Sequence, residues 1–433
     1  MTTRSTLLLL LLLASAQRGW AQVPNNDVSD ASGNLAGGTL ALDALVDGSL
    51  NTAFGSGALF TVAHGSANTA VGWSALSGYI DDRNTGTNNT AIGAYALEHN
   101  TSGVQNTAGG TFALRANEAG HDDVASGFAA LQSNTTGSYN TAVGSGALGT
   151  NDIGGNNAAL GYQALMGNTS GGYNTAAGVQ ALLSNTTGHD NAAIGSMALL
   201  NNTTGNNNAA LGDSALVSNQ TGGNNAAVGV GALGASNGNN NTGLGFNTLS
   251  NNPDGNGNIA VGSGAGSKLT GGSDDIYVGN KGKGAESDTI RIGSAQTHTF
   301  IAGIGGTPVS GGTVLINSKG QLGILASSAR YKRDIENMGE RSGALLQLRP
   351  VTFRYKQDAS GERQYGLVAE EVAKVYPELV VRSDTGEVQS VKYEELIPML
   401  LNQIQRQQSQ LDTQAARLER LEQAASATTI ASR

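Results

Sequence analysis

Residues 140–156 read NTAVGSGALGTNDIGGN, and residues 157–173 follow the same plan as NAALGYQALMGNTSGGY. Twelve of the 14 intervals between successive units are 17 residues, and the other two are 21 and 16 residues. Self-similarity at so regular a period indicates a repeat architecture. The shared form, Asn-x-Ala-x-Gly-x-x-Ala-Leu, begins 15 times, at Asn34, Asn51, Asn68, Asn89, Asn106, Asp123, Asn140, Asn157, Asn174, Asn191, Asn208, Asn225, Asn241, Asn258 and Asp275.

Each unit has the composition of β-structure. Two apolar patches, such as Ala142-Val143 and Ala147-Leu148, flank a glycine that can turn at positive φ without steric cost. Helical repeats need about 30 or more residues, whereas 17 residues fit one coil of a β-solenoid. Coils stacked about 4.8 Å apart would form a shaft roughly 70 Å long, in which asparagines in register form amide ladders. The sequence therefore predicts a mainly β repeat solenoid or β-roll shaft over residues 34–293.

The small apolar core of a single coil indicates that a stable shaft needs more than one chain. Each coil offers about four small apolar side chains, against an ordering cost of roughly 1.5 kcal/mol per residue. We therefore expect the alanine and leucine faces of several chains to pack together in a homotrimer. The repeats resemble the head domains of trimeric adhesins and the shafts of phage tail fibres, whose short Gly-Ala-rich repeats form trimeric β-rolls. This resemblance is one of pattern, and it implies the architecture only.

The first residues have the pattern of an export signal. Arg4 is followed by the leucine run Leu7–Leu13 and by the small residues of Gly19-Trp20-Ala21. The run is shorter than the roughly 20 apolar residues of a membrane span, although an uncleaved anchor helix remains the alternative. We expect a signal peptide over residues 1–21, a linker over 22–33, and a protein that is secreted or displayed on the cell surface with no membrane span after cleavage.

Composition divides the chain at Ser327. From there to Arg433 the sequence has 15 basic and 15 acidic residues, so the whole net charge of −9 lies upstream, together with 58 of the 63 glycines. An acidic shaft is a poor nucleic-acid binder, because phosphate contacts need Lys and Arg. The absence of cysteine excludes disulfides, zinc-thiolate sites and cysteine nucleophiles. Histidines and aspartates do not cluster, and we expect neither a metal nor a cofactor.

The part after the repeats predicts a connector and a small domain. Residues 294–326 form a β-rich connector, and residues 327–393 form a small α+β domain. Its expected elements are a helix over Arg341–Leu348, strands at Val351–Lys356 and Gly366–Val368, a helix over Ala369–Tyr376, and a hairpin of Leu379–Arg382 with Val388–Tyr393.

A long helix should end the chain. Residues 394–425 carry apolar side chains at intervals of seven, the pattern of a coiled-coil seam. A surface helix packed on its own domain is the alternative. Pro398 is tolerated only near a helix start, so the helix should begin close to it, and residues 426–433 should form a disordered tail. The seam consists of Ile397, Ile404, Leu411, Leu418 and Ala425.

Five sequence blocks in this part resemble the endosialidase-type intramolecular chaperone family, over residues 327 to about 425. Members form trimers at the ends of phage tail spikes and bacterial surface fibres, and they cut themselves off through a Ser-Lys dyad. The resemblance implies that Ser327 is the nucleophile, that Lys332 is the base, and that the bond between Ala326 and Ser327 is cleaved. The blocks are SSARYKRDI at 327–335, LRPVTFRY at 348–355, YGLVAEEV at 365–372, PELV at 377–380 and VKY at 391–393.

The residue types of this domain favour the same chemistry. No histidine follows Ser327, since all five histidines lie upstream, so a serine nucleophile here has lysine as its available base. A lysine acts as a base only after losing its proton, which burial and neighbouring positive charge favour. Arg330 and Arg333 would supply the charge, and burial at a subunit interface would supply the desolvation.

These observations predict a trimeric fibre or adhesin-like protein whose C-terminal domain assembles it and then releases itself. The alternative is a phage-type tail spike that binds or depolymerises polysaccharide. A glycosidase needs two carboxylates across a groove, whereas the acidic residues of the shaft are scattered. Threonines at one place in the coil also suggest ice or polysaccharide binding, but alanines interrupt that array. Triplets such as Asn134-Thr135-Thr136 are either glycosylation acceptors or turn residues.

Overall fold

The computed structural model describes residues 30–301 except 44, 46, 62, 63 and 79–84, residues 314–316 and 321–324, and residues 327–431 except 357–360 and 384. The predicted signal peptide, most of the linker after it and Ala326 lie outside these residues. The chain divides into two compact units, Met1–Thr299 and Phe300–Arg433. Among the described residues, no helix combines the length with the hydrophobicity that a bilayer span requires.

The first unit is a β-solenoid, as the repeats predicted. Each coil contributes one three-residue strand to a parallel 16-stranded sheet whose strand order follows the sequence. Thr141 pairs with Ala158, one period further on. The strands are β1 Leu35–Gly37, β2 Thr52–Phe54, β3 Thr69–Val71, β4 Thr90–Ile92, β5 Thr107–Gly109, β6 Val124–Ser126, β7 Thr141–Val143, β8 Ala158–Leu160, β9 Thr175–Ala177, β10 Ala192–Ile194, β11 Ala209–Leu211, β12 Ala226–Val228, β13 Thr242–Leu244, β14 Ile259–Val261, β15 Ile276–Val278 and β16 Ile290–Ile292.

The repeated glycine is required by how closely the coils approach. Gly144, directly after β7, has φ of +134°, which L side chains rarely adopt. A Cβ placed on it would lie within contact distance of the carbonyl oxygen of Gly161, the matching glycine in the next coil. A side chain at this place would therefore force two coils apart, which explains the glycine in the 13 units from Gly38 to Gly245; at Gly262 and Gly279, near the end of the stack, no such close contact is made.

The apolar core lies inside the coil of a single chain. Ala142, Ala147 and Leu148 are fully buried, and the matching residues of the neighbouring coils are buried with them. Leu148 turns inward at φ of +51°, and its N–H donates to the carbonyl of Ala164 at 3.0 Å. The expectation that the alanine and leucine faces of several chains pack together is therefore wrong, because these side chains are already covered by their own coil.

Two buried asparagine ladders complete the core. In the first, Asn157 donates from Nδ2 to Asn140 Oδ1 at 3.2 Å and to the carbonyl of Gly171 at 2.9 Å. The same amide geometry recurs from coil to coil, which confirms the predicted ladder and satisfies buried polar groups that would otherwise destabilise the fold. A second ladder runs at another corner, where Asn151 Nδ2 donates to Asn134 Oδ1 at 2.7 Å. Because Asn134 is fully buried, it is not accessible for glycosylation in the folded shaft.

The described residues of the second unit form three two-stranded antiparallel sheets and two α-helices. These elements match most of the expected ones, and the helix expected over Arg341–Leu348 is a 3₁₀ helix over Gly339–Gln347. The elements are β17 Val314–Ile316 with β18 Leu322–Ile324, the 3₁₀ helices Ala329–Tyr331, Gly339–Gln347 and Pro377–Leu379, β19 Val351–Phe353 with β20 Gln364–Gly366, α1 Ala369–Val375, β21 Val380–Arg382 with β22 Val388–Val391, and α2 Tyr393–Ala431.

Helix α2 begins before Pro398 and extends further than the sequence suggested. It starts at Tyr393, so Pro398 lies beyond the first turn, and it continues to Ala431, through most of the segment expected to be a tail. The early start has a packing reason, because Leu396 and Met399 are buried in the core of this unit beside Val372 and Leu379. The stability gained by burial of these side chains offsets the loss of the backbone hydrogen bond that Pro398 cannot donate.

Candidate functional site

The candidate processing site is a tight turn at the start of the second unit. Ser327 directly precedes the turn, and Lys332 follows the 3₁₀ helix Ala329–Tyr331, with its N–H donating to the carbonyl of Ala329 at 3.1 Å. This turn brings the two side chains together, so that Lys332 Nζ donates to Ser327 Oγ at 3.3 Å. Two residues that stand five positions apart in the sequence are thus joined by a hydrogen bond.

The distance and direction of this hydrogen bond bear on what the pair can do. A serine becomes nucleophilic when its proton passes to a base within hydrogen-bond reach, and 3.3 Å is within the looser range seen before a reaction complex forms. A lysine takes up a proton from serine only as the neutral amine, through its lone pair. The two side chains lie close enough for the pairing that a Ser-Lys dyad needs.

The pair lies on the surface of the described chain, where Ser327 and Lys332 are both exposed to solvent. The neighbouring arginines contact other groups. The Arg330 guanidinium lies 4.7 Å from the centre of the Tyr331 ring, and Arg333 Nε lies 3.8 Å from an Asp334 carboxylate oxygen. The burial that the sequence analysis expected around Lys332 is not provided by the described residues. The roles given to Ser327 and Lys332 stay predictions, and Ala326 lies outside the described residues.

Three of the other sequence blocks are joined by contacts that the sequence did not predict. Arg349 forms two hydrogen bonds to the Glu371 carboxylate, at 3.1 and 2.5 Å, which holds the pKa of Glu371 below its usual range. The Tyr393 hydroxyl accepts a hydrogen bond from the N–H of Leu367 at 2.9 Å. A Cβ on Gly366 would lie 2.7 Å from that hydroxyl oxygen, so a side chain there would displace the Tyr393 ring. Each of these three blocks, at 348–355, 365–372 and 391–393, supplies one side of such a contact.

The fold and the site together define a repetitive β-solenoid shaft that carries a small α+β domain with a long C-terminal helix. Residues 327–381 match the family described as chaperone of endosialidase, which confirms the resemblance found in the sequence blocks. The match supports an intramolecular chaperone of the kind associated with tail fibres. Comparisons of the chain with curated proteins and with solved structures gave no match.

Proposed function

We propose that this chain is a secreted or surface-displayed homotrimeric fibre whose C-terminal domain assembles the shaft and then releases itself by autoproteolysis. The family match at residues 327–381 carries the proposal, since a segment similar to the chaperone of endosialidase follows a repeat shaft in the same chain. The shaft itself is proposed to be structural, with a cell-surface or polysaccharide ligand as its target.

Helix α2 supports assembly into a coiled coil. Its seam residues Ile397, Ile404, Leu411 and Leu418 are spaced at seven and are 59–67% exposed, so the domain to which they belong does not cover them. A row of exposed aliphatic side chains at heptad spacing is the sequence of a helix that packs on copies of itself. Three such helices would hold three chains in parallel and in register.

Self-cleavage follows from the Ser-Lys pair once Lys332 is neutral. Ser327 Oγ attacks the carbonyl carbon of Ala326 while Lys332 Nζ takes the hydroxyl proton. The C–N bond then breaks, the Ser327 nitrogen receives a proton and leaves as a free amine, and an ester remains on Ser327 Oγ. Water hydrolyses that ester, which gives a shaft ending at Ala326 and a chaperone beginning at Ser327.

Dependence of cleavage on assembly is a consequence of the solvent exposure of the dyad. Packing of a second copy against Lys332 would remove water from its ammonium group and favour the neutral base. Cleavage would then report that the trimer has formed, and it would release the assembly domain only after its task is complete.

Deletion of residues 327–433 tests the chaperone role. A shaft expressed without them is expected to aggregate or to remain without β-structure, whereas removal of the domain after assembly should leave the β-rich trimer unchanged. Circular dichroism and sedimentation velocity measure the two outcomes. A deletion variant that reaches the same β-rich trimer by itself would contradict the proposal, and so would a full-length chain that sediments as a monomer.

A further inference from the structure

The outward face of the solenoid sheet carries a row of apolar side chains, which we call the outer stripe. Strand residues alternate, so the middle residue of each strand points into the core, and the first and third residues point outward. Eleven of the strands from β2 to β15 have Phe, Val, Ile or Leu at the third place, and ten of these residues are 38–52% exposed. These third-place residues define the outer stripe, and examples are Val143, Leu160, Ile194, Leu211, Val228 and Leu244.

The outer stripe is free of charge on an acidic shaft. No residue at the first or third place of strands β1 to β15 is charged, while the chain as a whole has a net charge of −9 that lies before Ser327. Copies of such a shaft repel each other wherever their acidic residues face. The outer stripe is thus a face on which two copies can approach without that repulsion.

The exposed apolar area of the strands and of the turns that follow them is of the size that an interface needs. Two residues beyond the stripe positions, further large side chains such as Trp73, Tyr162 and Phe246 are 51–57% exposed. Together with the outer stripe they leave on the order of 1,000 Å² of apolar side-chain surface in contact with water. Soluble monomers rarely expose contiguous patches above roughly 300–600 Å², whereas each partner of a specific complex buries about 800 Å².

We infer that the outer stripe is the surface through which the shafts of three copies pack side by side, in register. The inference rests on the proposed trimer and replaces the alanine and leucine contact between chains, since those side chains are buried within one coil. A copy of the same chain fits this face because its coils have the same spacing. In a parallel assembly Leu160 of each copy meets Leu160 of the others. Because all copies have the same coil spacing, equivalent coils stay level with each other along the whole shaft.

Cysteine cross-linking in the full-length chain tests the inference directly, because the native sequence has no cysteine. Leu160→Cys and Leu211→Cys place a thiol on the outer stripe, where each leucine is 47% exposed. Ile153→Cys is the matched control, since Ile153 is 58% exposed and lies ten residues beyond Val143, around the same coil. Each variant is treated with a short bifunctional maleimide and separated under denaturing conditions, after circular dichroism has confirmed its β-content.

The expected result is cross-linked dimer at both stripe positions, about tenfold or more above the Ile153→Cys control, because contact between copies raises the effective thiol concentration. Adding Leu160→Lys to the Leu211→Cys variant should lower its cross-linking. Equal cross-linking at all three positions, or none at the stripe in a chain that sediments as a trimer, would overturn this inference and leave the proposed function standing. A chain that sediments as a monomer would overturn both.

Discussion

The first asparagine ladder contains two buried acids, Asp123 and Asp275, and replacement of Asp123 by asparagine tests how the core is stabilised. Asp123 is fully buried, and it accepts hydrogen bonds from the N–H of Asn140 at 2.7 Å and from Asn134 Nδ2 at 3.2 Å. Burial raises the pKa of Asp123 to about 7, because the hydrogen bonds from Asn140 compensate only part of the lost hydration. At low pH the protonated carboxyl can donate to Gly137 in the way that ladder asparagines donate to their glycine carbonyls.

The sign of the pH effect follows from this raised pKa. Below about pH 4 the carboxyl is protonated in the folded and the unfolded chain, and Asp123 has no effect on the pH dependence. Between about pH 4 and pH 7 the unfolded chain loses the proton while the folded chain keeps it, so the free energy of unfolding falls. The shift of about 3 pH units corresponds to roughly 4 kcal/mol, lost in full above pH 7.

The Asp123→Asn variant should therefore be more stable than the wild type by up to roughly 4 kcal/mol at pH 8, and nearly unchanged at pH 4. Denaturant unfolding across this pH range, with amide exchange of the Asn140 N–H as a local probe, measures the difference. Asn174→Asp is the matched control, because it places a carboxyl in the same ladder and should lose stability at pH 8. Equal pH dependence in the wild type and the Asp123→Asn variant would refute the reasoning.

Further substitutions test the close approach of the coils and the processing site. Gly110→Ala should destabilise the shaft by about 2 kcal/mol or more, since Gly110 has φ of +136° and its Cβ would lie 2.5 Å from a carbonyl oxygen of the next coil. Gly109→Ala should be nearly neutral in thermal unfolding, because the nearest atom would be 3.9 Å away, and equal losses for the two variants would contradict the contact. Ser327→Ala and Lys332→Arg should each leave a full-length chain by mass spectrometry, since one lacks the nucleophile and arginine keeps its proton. Ser328→Ala should still be cleaved, and loss of cleavage in this variant alone would move the nucleophile by one residue.

The proximity of Ser327 and Lys332 was predictable from the sequence, whereas their environment was not, and their roles stay predictions. Ser327 and Lys332 stand in a short block, and the local 3₁₀ turn is enough to bring them to 3.3 Å. The exposure of the pair depends instead on which surfaces pack over the turn. The contact of Arg349 with Glu371 joins residues 22 positions apart, and no local pattern predicts such a pairing.

In the shaft, the period of 17 residues and the alternation of apolar residue, glycine and asparagine were sufficient to predict a β-solenoid with an amide ladder, because both depend on spacing along the chain. The second ladder has a signal of the same kind, an asparagine in eight consecutive coils from Asn100 to Asn219, although these positions by themselves suggest turn residues or glycosylation acceptors.

Only the tertiary structure determined which side chains of the coil face its interior. Leu148 and its counterparts turn inward through a left-handed backbone that leucine avoids by roughly 1–2 kcal/mol in isolation. They hold it because the coils above and below supply their hydrogen bonds and cover their side chains. The sequence specifies which residues recur. Their burial depends on contacts between residues 17 positions apart, and these contacts form only when successive coils have stacked.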